Sequence, residues 1–213
     1  MTYNHQSYLE IIDFIEKNAK KCVKIVAVSK NHPQSSIISA ISSGVRIFGE
    51  NRVQEALLKF SSLKKINKDI ELHLTGPLQT NKVKDSLEIF DVYQTLDREK
   101  LAKEFCKFYE KILKKIFFIQ INIGKEENKS GIMPEDANDF INFCYHDLKM
   151  NVKGLMCIPP INEDPVEYFK KIKNIGNKHR LEYLSLGMSA DYEIGIKAGA
   201  THIRVGTKIF GER

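Results

Sequence analysis

The chain has 213 residues, of which 42% are hydrophobic and 28% charged, and its formal net charge at pH 7 is +6. This length suffices for one large α/β domain with its own core, and no apolar run is long enough to cross a bilayer. The polar first ten residues do not resemble a signal peptide. Lysines alternate with acidic residues and form no aromatic-interleaved basic patch, so we expect a solvated surface rather than nucleic-acid binding.

Short apolar runs alternate with helical periodicity along the whole chain. The spacing of Tyr8, Ile11 and Ile15 predicts an amphipathic helix over 4–20. Helices are also predicted between the strands, including a long one over 101–112 and others that begin at Pro134 and Pro165. The predicted strands are 24–29, 45–49, 70–75, 89–95, 116–123, 152–158, 182–186 and 201–205.

The predicted strands are apolar throughout rather than alternating, which is typical of a parallel sheet covered on both faces. Eight strand–helix units predict a single TIM-like (β/α)8 barrel over residues 1–213. A doubly wound open sheet is the alternative. It would require a glycine-rich turn after the first strand, where the sequence has Ser-Lys-Asn-His-Pro instead.

Two consecutive strand-to-helix turns near the end of the chain carry small and hydroxyl-bearing residues. Gly187 and Ser189 follow the seventh strand, and Gly206 and Thr207 follow the eighth. Helix N-termini offer unpaired N–H groups, and barrel enzymes place phosphate sites after their last two strands. The pair predicts a phosphate site, although each turn alone is also compatible with an ordinary capped loop.

Lys30 follows the first predicted strand, at the barrel end where active sites lie. Burial there would favour the neutral, nucleophilic amine of a lysine. An amine within reach of a phosphate site indicates a phosphorylated aldehyde, and pyridoxal 5′-phosphate (PLP) meets both requirements. The alternative is that Lys30 lies beyond the strand end and points to solvent.

The four cysteines are Cys22, Cys106, Cys144 and Cys157. They form neither a C-x-x-C pair nor a cluster with zinc spacing, so we expect no metal site. We therefore expect all four cysteines to be reduced thiols, which is typical of a cytoplasmic protein.

Seven motifs, in order along nearly the whole chain, resemble the pyridoxal phosphate homeostasis protein family (YggS/PROSC), whose fold is similar to the alanine racemase N-terminal barrel. The motifs are Ala-Val-Ser-Lys (27–30), Phe-Gly-Glu-Asn (48–51), His-Leu-Thr-Gly-Pro-Leu-Gln-Thr-Asn-Lys (73–82), Lys-Ser-Gly (129–131), Gly-Leu-Met (154–156), Leu-Gly-Met-Ser (186–189) and Arg-Val-Gly-Thr-Lys-Ile-Phe-Gly (204–211). The resemblance implies a fold-type III PLP-binding barrel.

The resemblance also implies a role for each site residue. Lys30 would hold PLP as a Schiff base, with Asn51 beside it. Arg204 would face the pyridine nitrogen, and a guanidinium that keeps its proton there makes the ring a poor electron sink. The phosphate would be bound by Ser189, Gly206 and Thr207.

The chain departs from the family pattern at two places. Asn31 and His32 follow Lys30 where the family commonly has Thr-Lys, and Thr75 replaces a common Ile. His73 is expected to be a hydrogen-bonded barrel histidine, with ligand contact as the alternative. Lys129 is either a surface lysine or a second, transient holder of the aldehyde.

Two classes of function follow. The first is a carrier that buffers PLP, takes part in vitamin B6 and amino-acid homeostasis without catalytic turnover, and has apo PLP-dependent enzymes as candidate recipients. The second is a PLP-dependent amino-acid racemase, which needs an acid–base group on each face of its substrate. Alanine racemase takes one such group from a C-terminal β domain. Because this chain ends at Arg213, we expect that domain to be absent, and we expect a monomeric carrier.

Overall fold

Eight short parallel strands form the centre of the fold, and the computed structural model describes residues 3–212. The strands are β1 (Lys24–Val28), β2 (Ile47–Glu50), β3 (Glu71–Leu74), β4 (Val92–Leu96), β5 (Ile116–Ile121), β6 (Val152–Cys157), β7 (Tyr183–Met188) and β8 (His202–Val205). Each strand pairs with the next, and β8 pairs with β1, which closes the barrel. The predicted TIM-like barrel is therefore confirmed against the open sheet. Met1, Thr2 and Arg213, at the ends of the expected 1–213 domain, lie outside the described residues.

Helices cover the outside of the barrel. They are α1 (His5–Asn18), α2 (Gln34–Ser42), α3 (Val53–Ile66), α4 (Val83–Ser86), α5 (Glu99–Cys106), α6 (Tyr109–Ile112), α7 (Ala137–Asn142), α8 (Pro165–Lys178), α9 (Tyr192–Ala198) and α10 (Thr207–Phe210). A 3-10 turn over Thr80–Lys82 precedes α4, and a π turn over Phe143–Asp147 follows α7. Pro165 begins α8 as predicted, and Asp164 caps that helix by accepting the Val166 N–H at 3.1 Å.

Two of the predicted helices were wrong in detail. The long helix over 101–112 is broken into α5 and α6, because Phe108 leaves helical geometry (φ −117°, ψ 42°) and packs against the core. The helix expected to begin at Pro134 starts at Ala137 instead. Both differences lie on the outside of the barrel and leave the strand order unchanged.

Polar side chains occupy much of the barrel interior. The expectation of apolar, non-alternating strands is therefore wrong for the inner face. The buried polar side chains on the strands include His73, Gln94, Gln120, Ser185, His202 and Arg204. The main hydrophobic core lies between the outer face of the sheet and the helices, where Tyr93 stacks on Phe117 at 5.3 Å between ring centroids. The barrel interior thus combines hydrogen-bonded polar side chains with a small apolar cluster of Val92, Phe118 and Met156, inside an apolar shell.

Candidate cofactor site

A cavity of about 330 Å³ lies at the carboxyl ends of the strands. All six residues predicted for cofactor binding line it, and they come from both halves of the sequence. The lining residues are Val28, Lys30, Asn51, Thr75, Ile158, Met188, Ser189, Ala190, Arg204, Gly206 and Thr207. Lys30 lies two residues beyond the end of β1, is partly exposed and lines the cavity. The cavity combines one amine, one guanidinium and several hydroxyl and amide donors with a partly apolar wall.

The two predicted turns meet at one side of this cavity. The Gly206 N–H donates a hydrogen bond to Ser189 Oγ at 3.2 Å. Gly187, expected to follow the seventh strand, is instead the penultimate residue of β7. It has φ +90°, and a Cβ there would lie 2.7 Å from the Cα of Tyr192, so the end of this strand requires glycine. Helix α9 begins only at Tyr192, three residues beyond Ser189. Ser189 therefore lies in the turn itself, with its hydroxyl beside the turn after β8.

The loop that carries Lys30 is anchored on both sides of that residue. The Ser29 N–H donates to the Gly49 carbonyl at 2.9 Å, and its hydroxyl donates to Glu50 Oε1 at 2.7 Å. On the other side, the Asn31 N–H donates to Glu55 Oε1 at 2.5 Å, and Asn31 adopts φ +62°. Backbone contacts on both neighbours hold Lys30 in place at the cavity.

A buried charge cluster supports this loop. Lys59 Nζ lies 2.7 Å from Glu50 Oε1 and 2.8 Å from Glu55 Oε1, and it also donates to the Ser29 carbonyl at 2.7 Å. Burial raises the pKa of Glu50, and the hydrogen bond from Lys59 opposes that rise. Sequence reasoning did not identify Lys59 as part of the site. A signal was present, because Lys59 interrupts the apolar face of α3 beside Phe60.

Arg204 is held by acceptors inside the barrel. Its Nη1 donates to the Ser185 carbonyl at 2.8 Å and to Ser185 Oγ at 2.7 Å, while Nη2 donates to the Cys157 carbonyl at 2.9 Å. Burial lowers the pKa of this guanidinium. The ordinary pKa of arginine lies so far above neutral pH that the side chain keeps its proton in proteins, so a fixed positive charge borders the cavity.

Asn51 belongs to two cavities. Its Oδ1 accepts the Thr75 hydroxyl at 2.9 Å, which places Thr75, a departure from the family pattern, in the wall of the site. A neighbouring cavity of about 550 Å³ also contains Asn51, together with Arg52, Lys82 and Arg98. The candidate site therefore adjoins a second opening with basic residues on the same end of the barrel.

Three other residues singled out from the sequence lie outside the lining of the smaller cavity. His32 is buried and packs on Phe210 at 5.3 Å between ring centroids. His73 is a hydrogen-bonded barrel histidine, as expected. Lys129 pairs with Glu126 at 2.6 Å and contacts the Pro159 carbonyl at 3.4 Å. None of the three belongs to the cavity wall.

The remaining sequence expectations concern thiols, metals and membranes. All four cysteines are free thiols, with Cys144 and Cys157 buried. Within residues 3–212, no group of three or more His, Cys, Asp or Glu side chains is arranged to hold a metal ion. None of the helices described above combines the length and the apolarity that a membrane span requires.

The fold is a barrel of the alanine racemase N-terminal class, with the cavity at the carboxyl ends of its strands. The family model for the alanine racemase N-terminal domain matches residues 9–213. A pyridoxal phosphate homeostasis protein of Aquifex aeolicus is 38% identical over 205 residues, which cover 91% of this chain and 89% of that protein. The protein of the same name from Escherichia coli K12 is 36% identical over 96% of this chain and 94% of that protein. The chain belongs to the pyridoxal phosphate homeostasis protein family.

Solved structures agree with this assignment. PipY of Synechococcus elongatus PCC7942, solved without PLP, is 32% identical and superposes with a TM-score of 0.84 over 95% of this chain and 99% of that one. PipY has also been solved with PLP bound, with a TM-score of 0.81. Alanine racemase of Corynebacterium glutamicum is 15% identical and superposes with a TM-score of 0.71. The superposition covers all of this chain and 62% of the racemase, so the two share the fold.

Proposed function

We propose that this chain binds PLP in the 330 Å³ cavity and acts as a carrier that buffers the cofactor. In this proposal, Lys30 Nζ attacks the aldehyde carbon and a Schiff base forms with loss of one water molecule. The protein thereby keeps a reactive aldehyde bound and controls its supply to the cell. The carrier reading rests on the names of its relatives, which are homeostasis proteins.

One observation carries the proposal. An amine, a guanidinium and a pair of hydroxyl-bearing turns, contributed by β1, β7 and β8, line the same small cavity. Phosphate is an acceptor-rich anion that suits the hydroxyl donors of Ser189 and Thr207, and the Gly206 N–H would turn to it from Ser189 Oγ. Apolar contacts from Val28, Ile158 and Met188 suit the two faces of an aromatic ring.

The donor set fits PLP part by part. The phosphate needs several N–H and O–H donors, which the two adjoining turns provide. The aldehyde needs one primary amine, which Lys30 provides from an anchored loop. When bound, PLP supplies an electron-withdrawing pyridine ring that stabilises negative charge at the carbon beside its Schiff base nitrogen.

Arg204 limits that chemistry in our proposal. Its guanidinium would lie at the pyridine nitrogen and would disfavour a proton there, because two adjacent positive charges repel each other. The ring is then a weak electron sink. Asn51, which accepts the Thr75 hydroxyl, would line the cavity beside the Schiff base.

The carrier is favoured over the racemase by the make-up of the cavity wall. Among the described residues that line it, Lys30 is accompanied by no His, Tyr, Cys, Asp or Glu. A two-base racemase needs a proton donor on the face opposite the lysine. Exchange of the alanine Cα proton in deuterated buffer separates the two functions: exchange at enzymatic rates would establish the racemase and end the carrier proposal.

The absorbance spectrum of the purified protein tests the cofactor and its anchor together. We expect a yellow band in the parent that borohydride converts into a stable adduct on Lys30, located by peptide mass spectrometry. Lys30→Ala and Lys30→Arg should both lose the band, although the arginine variant keeps the positive charge. Lys82→Ala, which changes a lysine of the neighbouring cavity, is the matched control and should keep it.

A parent protein that shows no band after addition of PLP would overturn the proposed function. Transfer of the cofactor to apo PLP-dependent enzymes and a monomeric state are further parts of the proposal. Mixing the loaded protein with an apo-enzyme and following the recovery of that enzyme's activity tests the first part. Size-exclusion chromatography with light scattering tests the second.

A further inference from the structure

A continuous chain of hydrogen bonds, buried except at its Glu71 end, crosses the barrel interior. It begins at Glu71, the first residue of β3, and ends at Arg204 beside the cofactor cavity. Glu71 Oε1 lies 2.8 Å from His73 Nε2, and His73 Nδ1 lies 2.8 Å from Gln94 Nε2. Gln94 Oε1 accepts the Ser185 hydroxyl at 2.6 Å, and Ser185 Oγ accepts Arg204 Nη1 at 2.7 Å. The link from Gln94 to Ser185 spans the barrel from β4 to β7.

The direction of every hydrogen bond follows from the Glu71 end. The hydrogen bond from His73 lowers the pKa of Glu71 to about 2, so Glu71 is an acceptor-only carboxylate at neutral pH. Burial lowers the pKa of His73, so the imidazole is neutral and carries one proton. That proton must be on Nε2, which faces the carboxylate, and Nδ1 is therefore an acceptor for the Gln94 amide N–H.

The opposite orientation of Gln94 is unfavourable. It would turn the amide oxygen towards His73 Nδ1, which would then need a proton of its own. Nε2 already needs a proton, because it faces an ionised carboxylate at 2.8 Å. The buried ring would then either carry protons on both nitrogens, or turn the lone pair of Nδ1 towards that of the Gln94 oxygen. The chain therefore donates in one direction, from Arg204 through Ser185, Gln94 and His73 to Glu71.

Arg204 has no carboxylate as an ion-pair partner within the described part of the chain. Asp191, a carboxylate whose charge does act on Arg204, accepts the Met188 N–H at 2.6 Å instead. A guanidinium that is only 5% exposed needs compensation for its lost hydration. The polarised chain brings the negative end of a dipole series to it, and the series ends at Glu71, whose carboxylate also pairs with Lys24 at 3.2 Å.

We propose that Gln94, His73 and Ser185 are positioning residues for Arg204: they connect it to Glu71 and hold the guanidinium against the cofactor cavity. This inference rests on the proposed function, because it assigns the chain a role towards PLP. It adds that the electronic state of the bound ring depends on Glu71, at the opposite mouth of the barrel.

The first test uses the cofactor-free protein. Nitrogen-15 NMR of labelled histidine should show His73 neutral and protonated at Nε2 at pH 7, with Nδ1 as an acceptor. A proton on Nδ1, alone or in an imidazolium, would overturn the chain as described. This result is independent of PLP, so it separates failure of the chain from failure of the proposed function.

The second test breaks the chain at its centre. Gln94→Met should move the absorption maximum of bound PLP and weaken PLP binding about tenfold or more, because a hydrogen-bonded path to a charged group is lost. Gln120→Met is the matched control, since Gln120 is also buried but donates to the Ser130 carbonyl at 2.8 Å, outside the chain. It should leave both quantities unchanged.

Parental absorption and affinity in folded Gln94→Met would refute the positioning role. Thermal unfolding monitors the fold of each variant. Should Gln94→Met fail to fold, Glu71→Gln serves instead, because its amide oxygen still accepts the His73 N–H while the charge is removed. We expect Glu71→Gln to move the absorption maximum measurably, and an unmoved maximum in that variant would equally refute the proposal.

Discussion

Lys59→Met offers the sharpest test of how the site is supported. The change removes an ammonium group that lies 2.7 Å from Glu50 Oε1 and 2.8 Å from Glu55 Oε1. Glu50 is fully buried and would keep the Ser29 hydroxyl as a donor, while its Oε2 has no hydrogen-bond partner within the described chain. Methionine fills a similar volume, so the main effect is a buried carboxylate left without its cation.

The expected loss of unfolding free energy is about 3–5 kcal/mol at pH 7, the range found when one partner of a buried ion pair is removed. Typical domains have about 5–15 kcal/mol in total, so the effect is large. In the variant, the pKa of Glu50 rises further above its ordinary value. The folded state then favours the protonated acid, and the deficit should be smaller at pH 5 than at pH 8.

Urea unfolding followed by circular dichroism measures the loss, because the chain contains no tryptophan. Lys103→Met is the control: its ion pair with Glu99 at 2.8 Å is exposed, and its loss should cost about 0.5 kcal/mol or less. The double variant with Glu50→Gln should recover about 1–2 kcal/mol, since the stranded charge is gone. A single-variant loss below about 1 kcal/mol, or no recovery in the double variant, would refute this reasoning.

Three further predictions follow from the same geometry. Glu71→Gln should lower the free energy of unfolding at pH 7 by at most about 3 kcal/mol. Because the folded-state pKa of Glu71, about 2, lies below its ordinary 4.5, this loss should shrink as the pH falls from 4.5 towards 2. Urea titrations measure the loss at each pH, and a loss that does not change with pH would contradict the prediction. Gly187→Ala should destabilise by about 1–3 kcal/mol and weaken PLP binding, whereas Gly44→Ala, with φ +93° and nothing within 4 Å of its Cβ, should cost less in the same assay. If Lys129 is a second, transient holder of the aldehyde, Lys129→Ala should transfer PLP to an apo-enzyme more slowly while binding PLP as tightly as the parent. Transfer at the parental rate would end that hypothesis.

The sequence alone determined the barrel and predicted where its candidate site lies. Apolar runs separated by helical periodicity predict eight strand–helix units, and parallel strands with short crossovers close in only a few ways. Residues at the carboxyl ends of those strands therefore lie at the same end of the barrel, independent of the conformation of the loops. Lys30, Ser189 and Thr207 could be grouped for this reason, although β1 and β8 lie at opposite ends of the chain.

The interior of the barrel and the support of Lys30 were decided only by the tertiary structure. Hydrophobic periodicity does not indicate which face of a buried strand holds paired polar groups, because a hydrogen-bonded polar side chain is as compatible with burial as an apolar one. The partners of Gln94 and Lys59 lie 91 and 30 residues away along the chain, at Ser185 and Ser29. Closure of the barrel brings these residues within hydrogen-bond distance, and no local pattern in the sequence encodes that distance.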